Sequence, residues 1–273
     1  MSTPLPPRLL AFDLDGTLIL EAGLVVPEAT RAALKRLKRA GVKTAIITGR
    51  DQPPPGVLDA AQPEAVATSN GGRIDIGGEL HQELRFSESE LSAVLAHQLG
   101  EARVIAFTSR AVYIDVPPGL PAPVWLSRRE HHPLSEVPVH EVIKVGFYHP
   151  EVGRWRDTLR GEYGHLVYTG AQDPYPEFLT VTPAGADKGA ALSVIAEQLG
   201  IPMPQVMVFG DSDNDEAMFA VAGRAVQVGR LPLLERYAHA RVEGPEVLGA
   251  YLHALADELE AEGRAPRKPQ MQR

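Results

Sequence analysis

Cysteine is absent from the chain. That absence excludes disulfide bridges, thiol nucleophiles and thiolate metal sites, so any bound metal must take oxygen or imidazole ligands. No apolar run approaches the ~20 residues that a membrane span needs, and the Pro-rich start, Met1 to Arg8, lacks the apolar centre of a signal peptide. A soluble, cytoplasmic protein is expected. Positive charge is scarce: 27 Lys and Arg stand against 35 Asp and Glu, for a formal net charge of -8, and no dense basic stripe is present to displace the counterions of a nucleic acid. The expected partner is a small solute, with neither nucleic acid nor membrane, and the oligomeric state is not legible. Repeats and low-complexity tracts are also missing, the 24 Pro and 25 Gly being scattered between apolar runs. What is there is 273 residues, 44% hydrophobic and 23% charged, enough for one large or two modest domains with a sizeable core.

Residues 8–14, Arg-Leu-Leu-Ala-Phe-Asp-Leu, form a short apolar run closing on a carboxylate, the pattern of a strand buried in a parallel sheet. Ala33, Leu34 and Leu37 then recur at helical spacing opposite Arg31, Lys35, Arg36 and Lys38, with Pro27 in the first turn and Gly41 past the end, predicting a helix over 27–40. Strands are expected at 42–48 and 65–69, with Asn70-Gly71-Gly72 as a turn. From 83 to 181 the rhythm becomes β-rich, with strands at 104–107, 111–116, 142–148, 165–168 and 178–181 and helices at 87–99 and 151–163. The first rhythm then resumes with helix 187–199, strand 206–209, helix 214–222 and strand 225–228. The expected fold class is α/β: a Rossmann-like, doubly wound parallel sheet from residues 1–82 and 183–262, an inserted α+β domain over 83–182, and a flexible polar tail at 263–273.

Four polar clusters fall at ends of these elements. Asp13-Leu14-Asp15-Gly16-Thr17 closes the first strand, where parallel sheets place ligands. Residues two apart share a face, so Asp13 and Asp15 can enter one pocket, one to attack and the other to shuttle a proton, while Gly16 permits a tight turn. Gly210-Asp211-Ser212-Asp213-Asn214-Asp215 returns three carboxylates to the same sheet edge, and that much negative charge calls for a cation. A calcium loop counted from Asp211 would need Gly and Glu at its sixth and twelfth positions, where Glu216 and Ala222 stand, so the hard oxygen ligands point to magnesium. Lys188, one of only six lysines, opens a helix, where the dipole disfavours a cation by ~0.3 to 1 kcal/mol; neutralising an anion would explain it. Thr48-Gly49 offers a hydroxyl and a backbone N–H to a phosphate.

In this order and spacing the four clusters resemble the haloacid dehalogenase superfamily, and the insertion resembles the cap of its Cof-like, type IIB branch. The resemblance spans nearly the whole chain and is carried by Asp13 to Thr17, Ile47-Thr48-Gly49-Arg50, Ser69-Asn70-Gly71, Lys188-Gly189 and Gly210 to Asp215 followed by Glu216-Ala217-Met218. It implies Asp13 as nucleophile and Asp15 as general acid and base. Thr48, Gly49, Arg50, Asn70, Lys188 and Asn214 would meet the phosphate or the substrate. Mg2+ would be held by the Asp13 carboxylate, the Asp15 backbone carbonyl and Asp211, with Asp215 supporting from behind. The chain departs from many relatives in having Thr180 in place of Glu and Arg230-Leu231 in place of Asn-Ala, and Pro53-Pro54-Pro55 delays the helix after Arg50.

The implied activity is magnesium-dependent hydrolysis of a small phosphorylated metabolite, a sugar phosphate or similar, through an aspartyl phosphate. A phosphotransferase or mutase would use the same groups, passing the phosphoryl group to a hydroxyl instead of water. A signalling receiver domain has no need of the insertion or of Asp15, and a non-catalytic metabolite-binding protein no need of every chemical group. Within the insertion, Trp125, Arg128, Arg129, His131 and His132 form a partly basic stretch that could meet a sugar or second phosphate, or be a solvated loop. His140 and Lys144 read as strand-edge residues, Tyr168 and Tyr175 as packing.

Overall fold

The computed structural model describes residues 5–21, 23–96, 102–115, 126 and 129–264. The chain opens with β1 (Leu9–Phe12), α1 (Glu28–Arg39), β2 (Lys43–Ile47), α2 (Pro55–Ala61), β3 (Ala65–Thr68) and a hairpin of β4 (Arg73–Ile76) and β5 (Glu79–Glu83). The second block holds α3 (Glu88–Ala96), β6 (Arg103–Phe107), β7 (Val112–Ile114), β8 (His131–His132), β9 (Lys144–Tyr148), α4 (Val152–Glu162), β10 (Val167–Gly170) and β11 (Phe178–Thr182). The third returns with α5 (Lys188–Gln198), β12 (Val206–Gly210), α6 (Glu216–Val221), β13 (Arg224–Val228), α7 (Pro232–Glu235), β14 (Ala240–Val242) and α8 (Pro245–Arg264).

The first and third blocks share one eight-stranded sheet in the order β14-β13-β12-β1-β2-β3-β4-β5, parallel from β14 to β3 and antiparallel through the hairpin. Alternate residues of β1 supply its two faces. Leu10 and Phe12 pack with Leu34 and Leu37 of α1 and Leu248 and Leu252 of α8, whereas Leu9 and Ala11 pack with Leu192 and Ile195 of α5 and Met218 of α6. Each such aliphatic side chain contributes about 1.5–3 kcal/mol by its burial, which is why a four-residue strand can anchor the sheet.

The second block is a separate six-stranded sheet, β10-β11-β9-β6-β7-β8, antiparallel except between β7 and β8. One face, with Val145, Phe147, Leu179 and Val181, is buried under Leu91 and Val94 of α3 and Leu159 of α4. Of the alternate positions, Lys144 and Thr169 bond to the segments that follow β2 and β3 of the larger sheet.

Several expected elements differ from those observed. The expected strand 142–148 begins at Lys144, and 165–168 becomes Val167–Gly170 because the Leu166 N–H closes a turn onto Tyr163. The expected helix 214–222 starts as a tight 3-10 turn at Asp213–Asp215, and α6 follows. The ends of expected helix 87–99 and strand 111–116, and tail residues 265–273, lie outside the described residues; α8 continues through Gly263 and Arg264. The β4–β5 hairpin, α7, β14 and α8 had no counterpart in the sequence reading.

Candidate active site

β1 lies between β2 and β12, so the chain leaves it to one side early and returns on the other much later. The crevice at the carboxyl ends of β1 and β12 is thus a topological switch point, where open α/β sheets bind ligands. Asp13 follows β1 there and is 4% exposed, and Asp211 follows β12. Gly16 turns with φ +75°, and any Cβ on it would collide with the Asp211 carboxylate, so the first motif packs against the last only because residue 16 is glycine.

α5 delivers the cation. Asp187 caps it by accepting from the Gly189 and Ala190 N–H groups, both at 2.8 Å, which fixes the first turn and points Lys188 inward. Lys188 is fully buried and its Nζ donates to Asp13 Oδ1 and Asp215 Oδ1, each at 2.6 Å. Asp215 is held in turn by the N–H groups of Asp211 (2.8 Å) and Ser212 (3.0 Å) on its Oδ2. Thr17 donates its hydroxyl to Asp211 Oδ1 at 2.5 Å.

Carboxylate oxygens of Asp13, Asp211 and Asp215 lie within 4.8 Å of one another. Burial, with Asp215 alongside, raises Asp13 to about 7 against the opposing pull of Lys188. Burial and the charges of Asp13 and Asp215 raise Asp211 to about 9. Burial opposes the charge on Lys188, but Asp13 and Asp215 outweigh it and hold the ammonium above its ordinary value. With only one lysine among three carboxylates, ionising all of them calls for further positive charge, and the donors are hard oxygens, so a divalent cation fits the donor set in both charge and chemistry.

The other expected residues converge on this crevice. Thr48 is buried after β2, its oxygen accepting the Arg50 N–H at 3.1 Å, which leaves its hydroxyl hydrogen free to donate. Ser69 and Asn70 adopt left-handed backbone at φ +52° and +58°, a conformation costly for non-glycine residues, and their N–H groups hold the Arg50 and Thr48 carbonyls at 2.8 and 2.9 Å. Gly49 sits against the side chains of Asn70 and Asn214, which bond to each other at 3.2 Å. Arg50 donates Nε to Asp15 Oδ2 at 2.7 Å and Nη2 to Asp15 Oδ1 at 2.5 Å, a fork that also raises its own pKa. The side chain that joins Asp13 and Asp211 in the acidic cluster is therefore that of Asp215, while the Asp15 side chain turns to Arg50.

Around the rim the second domain supplies further residues. Lys144, expected as an edge residue, is 5% exposed and donates to the Gly49 carbonyl at 2.8 Å, its Nζ 3.9 Å from the centre of the Phe107 ring. Arg129 bonds to Asp51 at 2.7 Å and to Gln52. Tyr175, expected as packing, donates its hydroxyl to Glu21 at 2.9 Å, whereas Tyr168 packs inside the second domain with its hydroxyl on the Leu159 and Tyr163 carbonyls. His131 bonds to the Arg129 carbonyl, and His132 stacks on Tyr113. His140 presents its carbonyl to Arg85. Trp125 and Arg128 lie outside the described residues. No local pattern marks Lys144 or Tyr175 as functional, because their partners are 95 and 154 residues away.

Residues 10–231 match the family model of haloacid dehalogenase-like hydrolases. The chain belongs to this family. Among curated relatives it is 32% identical to the HMP-PP phosphatase of Cronobacter sakazakii over 93% of this chain and 96% of that protein. It is 31% identical to the HMP-PP phosphatase of Enterobacter sp. over 87% and 90%. In fold it is similar to a HAD subclass IIB sugar phosphatase, with TM-score 0.78 at 21% identity over 94% of this chain and 99% of the other. It is also similar to a haloacid dehalogenase-like hydrolase from B. subtilis, with TM-score 0.75 at 22% identity over 91% and 98%. The chain is thus a hydrolase with a haloacid dehalogenase fold and an inserted α+β cap, and the two curated relatives named above are phosphatases. No helix among the described residues is long and apolar enough to cross a membrane.

Proposed function

We propose that this hydrolase is a magnesium-dependent phosphatase that releases phosphate from a small phosphorylated metabolite of the cytoplasm through an aspartyl phosphate on Asp13. The observation that carries the reading is the buried Asp13 carboxylate at the switch point, bonded to Lys188 and crowded by Asp211, with Asp15 two residues along the chain. Asp13, Asp211 and the Asp15 backbone carbonyl would hold the magnesium ion, which supplies positive charge to the phosphoryl oxygens.

An Asp13 carboxylate oxygen forms a bond to phosphorus as the ester P–O bond breaks. Lys188 and the Thr48 hydroxyl hold nonbridging oxygens, and Asp15 gives its proton to the leaving oxygen. Both oxygens of Asp15 accept from Arg50 in the arrangement seen, and each keeps a second lone pair that can carry that proton, so the fork holds the carboxyl group in place. Asp15 then takes a proton from water, whose oxygen bonds to phosphorus as the bond to Asp13 breaks, and inorganic phosphate leaves. Two displacements of moderate height replace one that is high.

The test is phosphate release from a panel of phosphorylated metabolites, HMP-PP included because it names the relatives, with and without magnesium and without any acceptor alcohol. Asp13→Asn removes the attacking charge at nearly constant volume and is expected to lower kcat by at least about 10⁴ with folding intact. A well-folded Asp13→Asn variant that turns over normally would overturn the mechanism. Turnover only when an acceptor is supplied would make the enzyme a phosphotransferase.

A further inference from the structure

The turn joining β10 to β11 bonds at its two ends to the two loops that carry the acidic cluster, the one after β12 and the one after β1. At its stem the Gly170 N–H donates to Asp213 Oδ2 at 2.7 Å, and the Gln172 side-chain amide donates to the same oxygen at 3.0 Å. Asp213 is buried and is not one of the three clustered acids; it stands between Asp211 and Asp215 in sequence and faces the cap instead. Next to Gly170, Thr169 accepts from Asn70 at 3.1 Å, so the end of β10 is tied twice to loops that line the crevice. Gly170 (φ +80°) and Ala171 (φ +58°) are both left-handed, which bends the chain back over those loops. At the far end of the turn Tyr175 reaches Glu21, on the loop that follows Asp15 and Thr17. Burial and the carboxylates of Glu21, Asp211 and Asp15 all push the Tyr175 phenol up, which places that half-buried ring in the field of the acids that would handle the phosphoryl group.

We infer that this turn is the specificity-determining rim of the site, with Asp213 as a positioning residue that sets its height above the acidic cluster and Tyr175 as the side chain that the organic part of the substrate meets. The inference rests on the reading of the site as a phosphate-ester hydrolase. A buried carboxylate that accepts a backbone N–H and a side-chain amide is a stiff tether, because breaking either bond leaves a desolvated charge less satisfied. The Tyr175 hydroxyl is bound more loosely, to one exposed carboxylate, and is free to exchange Glu21 for a hydrogen-bond acceptor on the leaving group. The class of substrate favoured is a compact phosphate ester whose leaving group carries such an acceptor close to the phosphorylated atom. Esters without one meet the ring but gain nothing from the hydroxyl.

The experiment compares kcat/KM for the best substrate of the metabolite panel with that for p-nitrophenyl phosphate in wild type, Tyr175→Phe, Tyr175→Ala, Gln172→Ala and Asp213→Ala. The ratio of the two is expected to fall by about tenfold in Tyr175→Ala and Asp213→Ala, chiefly through KM, with Tyr175→Phe and Gln172→Ala intermediate. Gln172→Ala and Asp213→Ala should combine non-additively, since each removes the hydrogen bond between the two side chains. Gln172 and Tyr175 are accessible enough that their variants keep the protein folded even if Asp213→Ala does not. An active wild type whose ratio is the same in the Tyr175 and Gln172 variants would overturn the rim alone. A wild type that hydrolyses no phosphate ester would overturn the hydrolase reading and the rim with it.

Discussion

Lys144 shows how much a single side chain can depend on the join between two sheets. Its ammonium is buried, and burial lowers its pKa to about 8; Asp51 opposes that shift and Arg129 adds to it. Those two charges face it from the crevice loop and from the cap, paired with each other, while the Phe107 ring and the Gly49 carbonyl complete its surroundings. A lysine in the unfolded chain keeps its proton to about 10.5. Between those two values the unfolded chain therefore binds more protons than the folded one, and stability contributed at this position rises with pH. The burial cost is fully present below pH 8 and is gone above about 10.5. Relative to the near-isosteric Lys144→Met, wild type should gain about 2 kcal/mol between about pH 7 and about pH 9.5. Denaturant unfolding of both proteins at the two pH values measures this, and a constant difference would show that the amine titrates as an ordinary lysine.

At the scale of elements, the start of α5 links local sequence to the site most directly. Asp187 satisfies two N–H groups that the helix itself cannot, and the turn it fixes carries Lys188. Asp187→Ala should cost about 1 kcal/mol of stability and lower the melting temperature by about 2 °C. Activity should fall more than stability, because Lys188 is aimed by that turn; a stability loss with full activity would mean that Asp13 and Asp215 alone hold Lys188 in place. The helix that Lys188 opens was legible in the sequence, as were the strands of the crevice, since strands buried on both faces read as apolar runs that stop at a carboxylate; the cap on Asp187 was not. The elements that escaped are of two kinds. β5, Glu-Leu-His-Gln-Glu, is a largely exposed strand at the sheet edge with only one apolar residue, and so carries no alternation. α8 does carry a signal, Pro245 at its start and Leu248, Leu252, Leu255 and Ala256 at helical spacing, all of them buried. The acidic cluster was legible because its members lie in short motifs. The partners Lys144, Asp213 and Tyr175 find across the join were not, because only the packing of the cap on the core brings them together.

For the whole molecule the decisive fact is that, among the described residues, apolar packing stops at that join. The clusters of described residues built on the larger sheet draw only on residues outside the cap, and those built on the smaller sheet only on residues within it. What crosses is polar: Arg129 to Asp51 and Gln52, Lys144 to Gly49, Asn70 to Thr169, Asp213 to Gly170, and Tyr175 to Glu21. Units with separate cores and a polar contact move relative to each other by default. The Arg129–Asp51 pair lies on the Lys144 side of the crevice, its side chains 15% and 17% exposed, so removing it frees one edge of the cap without touching either core. Arg129→Ala should therefore raise amide hydrogen exchange severalfold in residues 49–52 and in the 171–177 turn, leaving β1, β12, β9 and β11 as protected as before. Melting temperature should fall little, because neither hydrophobic core is altered. If protection is instead lost evenly through both sheets, cap and core open as one cooperative unit, and access to Asp13 must come from loop motion within the crevice. If only the contact residues and the turn respond, the polar join is the hinge by which the cap admits its substrate.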